Sequence, residues 1–178
     1  MFVPPIETDR LQLVSLSPAF LAASQARDRT AAERELGLAV PDAWFTEQFV
    51  IDMRLQDVRA NPSWQPWLLR AVVLRQGAAM AGHVGFHTPP GPAYLQQHAP
   101  GGIEIGYTIY AEYRRQGYAA EAVSGMIDYA RGQGVQRFVL SIRPDNQPSL
   151  AIARRFGFAK VASVVDEIDG VEDVYVLG

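Results

Sequence analysis

The feature that most constrains this chain is a long one-sided helix set between two apolar strands. Ala119, Ala122, Val123, Met126, Ile127 and Ala130 fall at i, i+3, i+4, i+7, i+8 and i+11, a single apolar stripe. Glu121, Ser124, Asp128 and Arg131 take the other side, and Gly132 and Gly134 stop the helix. Before it, Ile103-Glu104-Ile105-Gly106-Tyr107-Thr108-Ile109 has the composition of a strand; after it, Phe138–Ile142 is a short apolar strand. Strand, helix and strand in that order make a local βαβ unit, so the fold expected is mixed α+β.

The rest of the chain fits around that unit. Arg10–Leu16 alternates apolar and polar residues with period two, a half-buried first strand. Ser17-Pro18 offers a helix N-cap followed by proline at the first helical position. Residues 19–59 are helical in composition, with a break near Gly37–Pro41. Trp64–Arg75 reads as a strand, Gln76-Gly77 as a turn and Ala79–His87 as the second strand of a hairpin. Residues 88–102, rich in proline and glycine, predict a loop. Pro148–Phe156 predicts a short helix, and Lys160–Val165 with Val171–Leu177 a closing hairpin around Asp169-Gly170.

Composition removes several function classes. The 178 residues suffice to bury a core without a disulfide or metal staple, and one domain over 1–178 is expected. There is no cysteine, which excludes a disulfide framework, a thiolate zinc site, an iron–sulfur cluster and a cysteine nucleophile. No apolar run reaches about 18 residues, so no membrane partner is expected. Met1–Glu7 lacks the charged leader and apolar core of a secretory signal, which makes the cytoplasm the expected compartment. A net charge of −3 argues against nucleic acid as a partner. That charge is uneven: residues 113–160 carry +5 and the remainder −8, with Lys160 the sole lysine. The planar guanidinium forks of a basic segment built from arginine suit phosphate oxygens.

Chemistry concentrates where the strand ending at Tyr110 meets the helix, at Arg114-Arg115-Gln116-Gly117-Tyr118-Ala119. A glycine and a small residue at a helix start let a bound group approach the backbone. The unpaired N–H groups of the first turn and the positive end of the helix dipole then form an anion site, with pyrophosphate the natural occupant. Two familiar phosphate loops fail here. A P-loop needs a glycine–lysine pair, which the chain lacks, and Gly132-Gln133-Gly134 ends a helix where a dinucleotide fingerprint would open one.

What survives resembles motif A of the GNAT (GCN5-related) N-acetyltransferases, Gln/Arg-x-x-Gly-x-Gly/Ala, matched by Arg114-x-x-Gly117-x-Ala119. Glu104-Ile105-Gly106-Tyr107 before it, Asn146-Gln147-Pro148-Ser149 with Phe156-Gly157-Phe158 after it, and the opening Thr8-Asp9-Arg10-Leu11 are similar to the RimJ/RimL-like branch. The resemblance runs from about residue 6 to 177. It implies a three-layer α/β/α acyl-CoA N-acyltransferase fold whose strongly twisted mixed sheet splays between the strand ending at Ile109 and Phe138–Ile142. Acetyl-CoA would be the cosubstrate, its pyrophosphate on the amides of Arg115, Gln116, Gly117, Tyr118, Ala119 and Ala120, with Arg114 alongside. The pantetheine arm would pair with backbone near Tyr107 and Ile109 and hydrogen-bond Asn146.

The resemblance further implies direct attack by a primary amine, with roles for particular residues. Glu104 is the expected general base, acting through water, and burial in a partly apolar cleft is expected to push its pKa up. A backbone N–H around Tyr107 or Thr108 would hold the oxyanion. Many family members place a tyrosine seven residues after the asparagine as general acid, but Ala153 stands there, and Ser149 is the candidate in its place. Ala111 also replaces a usual proline, which should loosen the turn slightly. The acceptor is expected to be a protein N-terminal α-amine or a small amine, with cationic acceptors favoured by the acidic remainder of the chain; homodimers are common in the branch. The alternative is a non-catalytic acyl-CoA-binding regulatory module on the same fold. His83 and His87 share a strand face, but without acidic or cysteine company no metal is expected. Trp64 and Trp67 are expected in the core or the acceptor pocket, and the acidic run 166–173 at a solvated hairpin tip.

Overall fold

A computed structural model describes residues 3–166 and 170–178; Glu167, Ile168 and Asp169, part of the expected acidic tip, lie outside the described residues. The chain groups into two compact units, Met1–Gly85 with Tyr107–Met126, and Phe86–Gly106 with Ile127–Gly178.

In the first unit, β1 (Ile6–Glu7), β2 (Leu11–Ser15), β3 (Arg70–Leu74) and β4 (Met80–Phe86, whose last residue belongs to the second unit) run antiparallel in that order. Leu11 pairs with Leu74 and Leu13 with Val72, which puts both β2 leucines on the buried face. Ser17 caps α1 (Pro18–Gln25) as its sequence predicts, accepting from the Phe20 N–H. After α2 (Arg29–Leu36), α3 (Asp42–Phe45) and α4 (Gln48–Ala60) complete the layer over the sheet. Phe20, Leu21, Trp44, Ile51, Leu55, Val73 and Met80 share one core. Each such side chain stabilises by roughly 1.5–3 kcal/mol. The Trp44 indole N–H donates to Ser24 Oγ at 2.8 Å, so its one polar atom is satisfied in the interior.

The strand expected over Trp64–Arg75 is shorter than its composition suggests. Pro62–Trp64 is a 3-10 turn, and the Trp64 carbonyl accepts from both Trp67 and Leu68 N–H. Pro66 has no N–H for a ladder, and its carbonyl accepts from the buried Arg70 guanidinium, so the strand starts only at Arg70. Trp64 packs on the core.

In the second unit, β5 (Ile103–Ile109, of which Tyr107–Ile109 belongs to the first unit) pairs in parallel with β6 (Phe138–Ile142) at Ile103↔Phe138 and Glu104↔Val139. Strand β8 (Gly170–Leu177) runs antiparallel between β6 and β7 (Ala159–Asp166). Asp173 is drawn into that hairpin by Lys160 Nζ at 2.6 Å and the Ser163 hydroxyl at 2.7 Å. The expected loop over 88–102 holds a short 3-10 turn, Ala93–Leu95, with Leu95 and Ala99 buried against Val139 and Val174. Helix α5 (Tyr118–Gly132) belongs to the first unit up to Met126 and to the second from Ile127, and α6 (Gln147–Phe156) closes with Gly157 in the left-handed conformation. The parallel pair and the antiparallel hairpins make the class mixed α+β. Among the described residues, no helix is long and apolar enough to cross a membrane.

Candidate active site

The first unit holds the anion-site segment. Backbone φ is +60° at Arg115 and +84° at Gly117, so the chain alternates into the left-handed region twice before α5 begins. Such alternation turns successive N–H groups toward one side, the geometry of a backbone nest. Among the described residues no protein acceptor pairs with the N–H of Arg115, Gln116, Gly117, Tyr118, Ala119 or Ala120; the first paired amide of the helix is Glu121, to Gly117 O at 3.1 Å. Residues 114–117 are exposed. Six adjacent donors at a helix start fit a pyrophosphate.

This loop is clamped by residues whose role the sequence did not disclose. The Glu121 carboxylate accepts from the Thr8 hydroxyl (2.6 Å), the Arg10 N–H (2.7 Å) and Arg10 Nε (2.6 Å). Arg10 Nη1 also donates to the Gln116 carbonyl at 2.9 Å, and its guanidinium lies 4.7 Å from the Tyr118 ring centroid. Partial burial would raise the Glu121 carboxyl, but the Thr8 and Arg10 hydrogen bonds and the Arg10 charge outweigh it and hold it below the usual range. Thr8 and Arg10 belong to the family-like opening; their partner is more than a hundred residues away, so pattern alone could not pair them. Arg114 Nε is tied to the Ile109 carbonyl at 2.8 Å, on the strand expected to meet pantetheine. The turn at Ala111 closes without proline, Tyr113 N–H donating to Tyr110 O at 2.9 Å.

The second unit holds Glu104, Asn146 and Ser149. Glu104 is 5% exposed, at the end of the parallel ladder. Its Oε1 accepts from the Ser141 hydroxyl at 2.5 Å and its Oε2 lies 3.3 Å from His87 Nδ1. Burial does push this carboxyl up, as expected, but the net shift is downward. The His87 hydrogen bond and charge, then the Ser141 and Tyr94 hydroxyls, outweigh desolvation and keep it below the ordinary carboxylate range. Glu104 is therefore ionised at neutral pH and well positioned, but not a strengthened base. Asn146 is the N-cap of α6, its Oδ1 accepting from the Ser149 N–H at 3.2 Å. That bond leaves the Ser149 hydroxyl and the Asn146 amide N–H groups for other partners. Ala153 is fully buried on the same helix and brings no acid. His87 thus belongs to the Glu104 cluster. His83 is buried, with Nε2 3.6 Å from Glu47. Among the described residues no group of three His, Asp or Glu side chains could hold a metal.

Residues 10–159 match the family model described as an acetyltransferase (GNAT) domain. An uncharacterized N-acetyltransferase of Bacillus subtilis, YjdG, is 26% identical over 162 residues, covering 86% of this chain and 88% of that protein. The chain spans only about half the length of two other curated relatives it matches, both uncharacterized N-acetyltransferases of the same organism. Among solved structures, an acetyltransferase from Agrobacterium tumefaciens aligns with a TM-score of 0.62 at 21% identity, over 100% of this chain and 96% of that one. RimL, a ribosomal L7/L12 alpha-N-protein acetyltransferase solved with coenzyme A, aligns with a TM-score of 0.62 at 19% identity, over 97% and 96%. The family match spans both the donor-rich start of α5 and the Glu104 cluster, and the chain belongs to the GNAT acetyltransferase domain family.

Proposed function

We propose that this chain is an acetyl-CoA-dependent N-acetyltransferase of the RimJ/RimL-like branch, transferring acetyl to a primary amine by direct attack. The observation that carries the reading is the run of six unpaired amides from Arg115 to Ala120 at the start of α5, held by the Arg10–Glu121 clamp. It is a ready cradle for the pyrophosphate of coenzyme A, and Arg114 and Arg115 add positive charge. When bound, acetyl-CoA supplies an activated thioester. The backbone of Tyr107 and Ile109 would pair with the pantetheine arm, the Asn146 side-chain amide would hydrogen-bond it, and a backbone N–H near Tyr107 or Thr108 would stabilise the oxyanion. Glu104 would serve as the base and the Ser149 hydroxyl would protonate the leaving thiol. Orientation of two bound substrates can itself contribute up to roughly 7–11 kcal/mol.

The chain acts here as one domain over 1–178. The borders of its two compact units fall inside β4, β5 and α5 instead of in linkers, where independent domains would part. The acceptor class rests on the RimL likeness and on charge: a protein N-terminal α-amine, or a small cationic amine. A homodimer is compatible, since Val161, Val164, Val165 and Val171 give the β7–β8 hairpin exposed apolar residues. A second reading, a non-catalytic acyl-CoA-binding module, is favoured only by Ala153, which leaves the usual tyrosine acid missing.

Thiol release from acetyl-CoA against a panel comprising a serine-initiated peptide, spermidine and an amino-acid amide tests the reading, with mass spectrometry of the product. Acceptor-dependent release with a 42 Da gain (about one acetyl group) on the amine is expected. Coenzyme A binding without release by any amine would leave the binding module standing.

A further inference from the structure

We propose that Arg114 is a specificity-determining residue of the donor site: in the unliganded protein its guanidinium latches onto the Ile109 carbonyl that pantetheine needs, and a phosphate releases it. Donors that carry phosphate are thereby favoured over thioesters that lack it. The inference rests on the coenzyme A reading above and gives one of its arginines a second task. Every residue it uses lies in the first unit.

The direction of the Ile109 carbonyl follows from the strand. Along a β-strand the N–H and C=O of one residue point to the same side, and successive residues alternate between the two sides. The Tyr110 N–H donates to the Ala81 carbonyl of β4 at 2.9 Å. The Thr108 carbonyl also lies against β4, so close to Gly82 that a Cβ there would collide with it. Thr108 and Tyr110 therefore turn their backbone groups toward β4, and Ile109 between them turns its own away. That far side is where the pantetheine arm would add like a strand, with the Ile109 carbonyl among its acceptors.

The side chain of Arg114 already occupies that acceptor, its Nε donating to the Ile109 carbonyl at 2.8 Å. The turn at Ala111–Tyr113 reverses the chain to bring it there, with the Tyr113 N–H on the Tyr110 carbonyl at 2.9 Å. Arg114 itself is extended, with φ −69° and ψ 162°, and the next residue, Arg115, opens the run of six amides. One residue thus joins the pantetheine edge to the pyrophosphate cradle, its side chain on the first and its backbone at the lip of the second. Arg114 is exposed, so its side chain can turn from one to the other without unpacking the core.

The two partners are not equal. On a phosphate the guanidinium fork gains full charge and two parallel hydrogen bonds, whereas on a neutral carbonyl it makes a weaker pair. A bound phosphate therefore takes the fork, and the carbonyl is released to the pantetheine amide. A thioester without phosphate must displace the guanidinium and gains nothing from it in return.

Binding the two halves of coenzyme A separately tests this. ADP supplies the pyrophosphate and S-acetylpantetheine the thioester, and 15N–1H spectra follow even weak binding of each. In the wild type, saturating ADP should tighten S-acetylpantetheine about three- to tenfold, and S-acetylpantetheine should tighten ADP by the same factor. Arg114→Met alone should tighten S-acetylpantetheine by a similar amount, weaken coenzyme A about tenfold, and abolish the coupling. An arginine that served only as positive charge would weaken coenzyme A in this variant and leave S-acetylpantetheine unchanged, a result that would overturn the proposal. The wild-type Arg114 Nε–H signal gives a readout that needs no variant: ADP should shift it, and a signal that ADP leaves in place would overturn the proposal too. Binding of both halves without coupling would remove the latch alone. A wild type that binds neither coenzyme A nor ADP would instead overturn the cofactor reading, and the latch with it.

Discussion

Gly117→Glu is the sharpest perturbation of the anion site, and its effect divides into two separable parts. Gly117 has φ +84°, where a side chain costs roughly 1–2 kcal/mol. For a chain of this size that lowers Tm by about 2–8 °C, and Gly117→Ala should show the same loss. The difference between the two variants is then the charge. A carboxylate on this residue would lie about 5 Å from a pyrophosphate on the neighbouring amides. At an effective dielectric near 20 that repulsion is about 3 kcal/mol per pair of unit charges. Arg10 opposes it, because Nη2 would lie 3.3 Å from the new Cβ. Arg10 is half exposed and already shared with Glu121 and the Gln116 carbonyl, so its offset is about 1 kcal/mol at most. With two phosphate charges facing the carboxylate the net penalty is about 5 kcal/mol, so coenzyme A Kd should rise by about 1,000-fold or more in Gly117→Glu and less than tenfold in Gly117→Ala. Calorimetric titration with coenzyme A, alongside thermal unfolding of both variants, measures the two parts independently. Equal Kd values in the two variants would show that no phosphate lies at this loop, and the cofactor assignment would fail with the reasoning.

Three further outcomes follow from other parts of the structure. Tyr110 is 3% exposed with its hydroxyl unpaired among the described residues, and burial, then Glu47 and Glu112, push its pKa up. Tyr110→Phe should leave stability at pH 7 unchanged or raise it by about 1 kcal/mol. Because the folded pKa is raised, the wild type should lose more stability than the variant above about pH 10, where the unfolded tyrosine ionises; a clear Tm loss at pH 7 would refute this. Glu121→Ala should cost about 1–2 kcal/mol and weaken coenzyme A binding by freeing the 115–120 loop, which denaturant titration and calorimetry would show. The folded pKa of Glu121 is lowered, so its contribution is present above about pH 4.5 and lost as pH falls through the folded value; the variant's acid-side decline should be shallower. Ser149→Ala should lower kcat with little change in Tm, because the α6 cap uses the Ser149 backbone N–H and not its hydroxyl, whereas Asn146→Ala should cost about 1 kcal/mol in unfolding free energy.

Local chemistry was readable from the sequence and distant chemistry was not. Ser17-Pro18 opens a helix because a cap needs only the next three residues. The stripe from Ala119 to Ala130 and the cradle at Gly117 are likewise properties of one continuous segment. Trp64–Leu69 misled because aromatic and aliphatic side chains suit a buried turn as well as a strand, and the Pro66 carbonyl bond to Arg70 leaves no trace in composition. The two-residue strand Ile6–Glu7 is too short to show a period. In the site, the Thr8 and Arg10 grip on Glu121 spans most of the chain, and Ser141 reaches Glu104 from a different strand.

Glu104 shows how that difference decides a mechanism. A lone carboxylate taken out of water becomes a stronger base, and the sequence supplied only the burial half of that reasoning. The fold adds Ser141, Tyr94 and His87 around the same carboxylate, and the combined stabilisation of the charge reverses the sign of the shift. A carboxylate held ionised by three partners removes a proton poorly, yet it is well suited to fixing the ring beside it. The strand position that resembles the family's base is thus occupied by a residue whose environment fits an anchor. Gly106→Ala tests the anchoring contact: its Cβ would come within 2.8 Å of His87 Nε2 and press the ring away from Glu104, which would keep Ser141. With one partner of the Glu104 carboxylate loosened, its pKa should move back up toward the ordinary carboxylate range, and a Gly106→Ala protein whose turnover keeps the wild-type pH profile would show that His87 does not set the charge of Glu104.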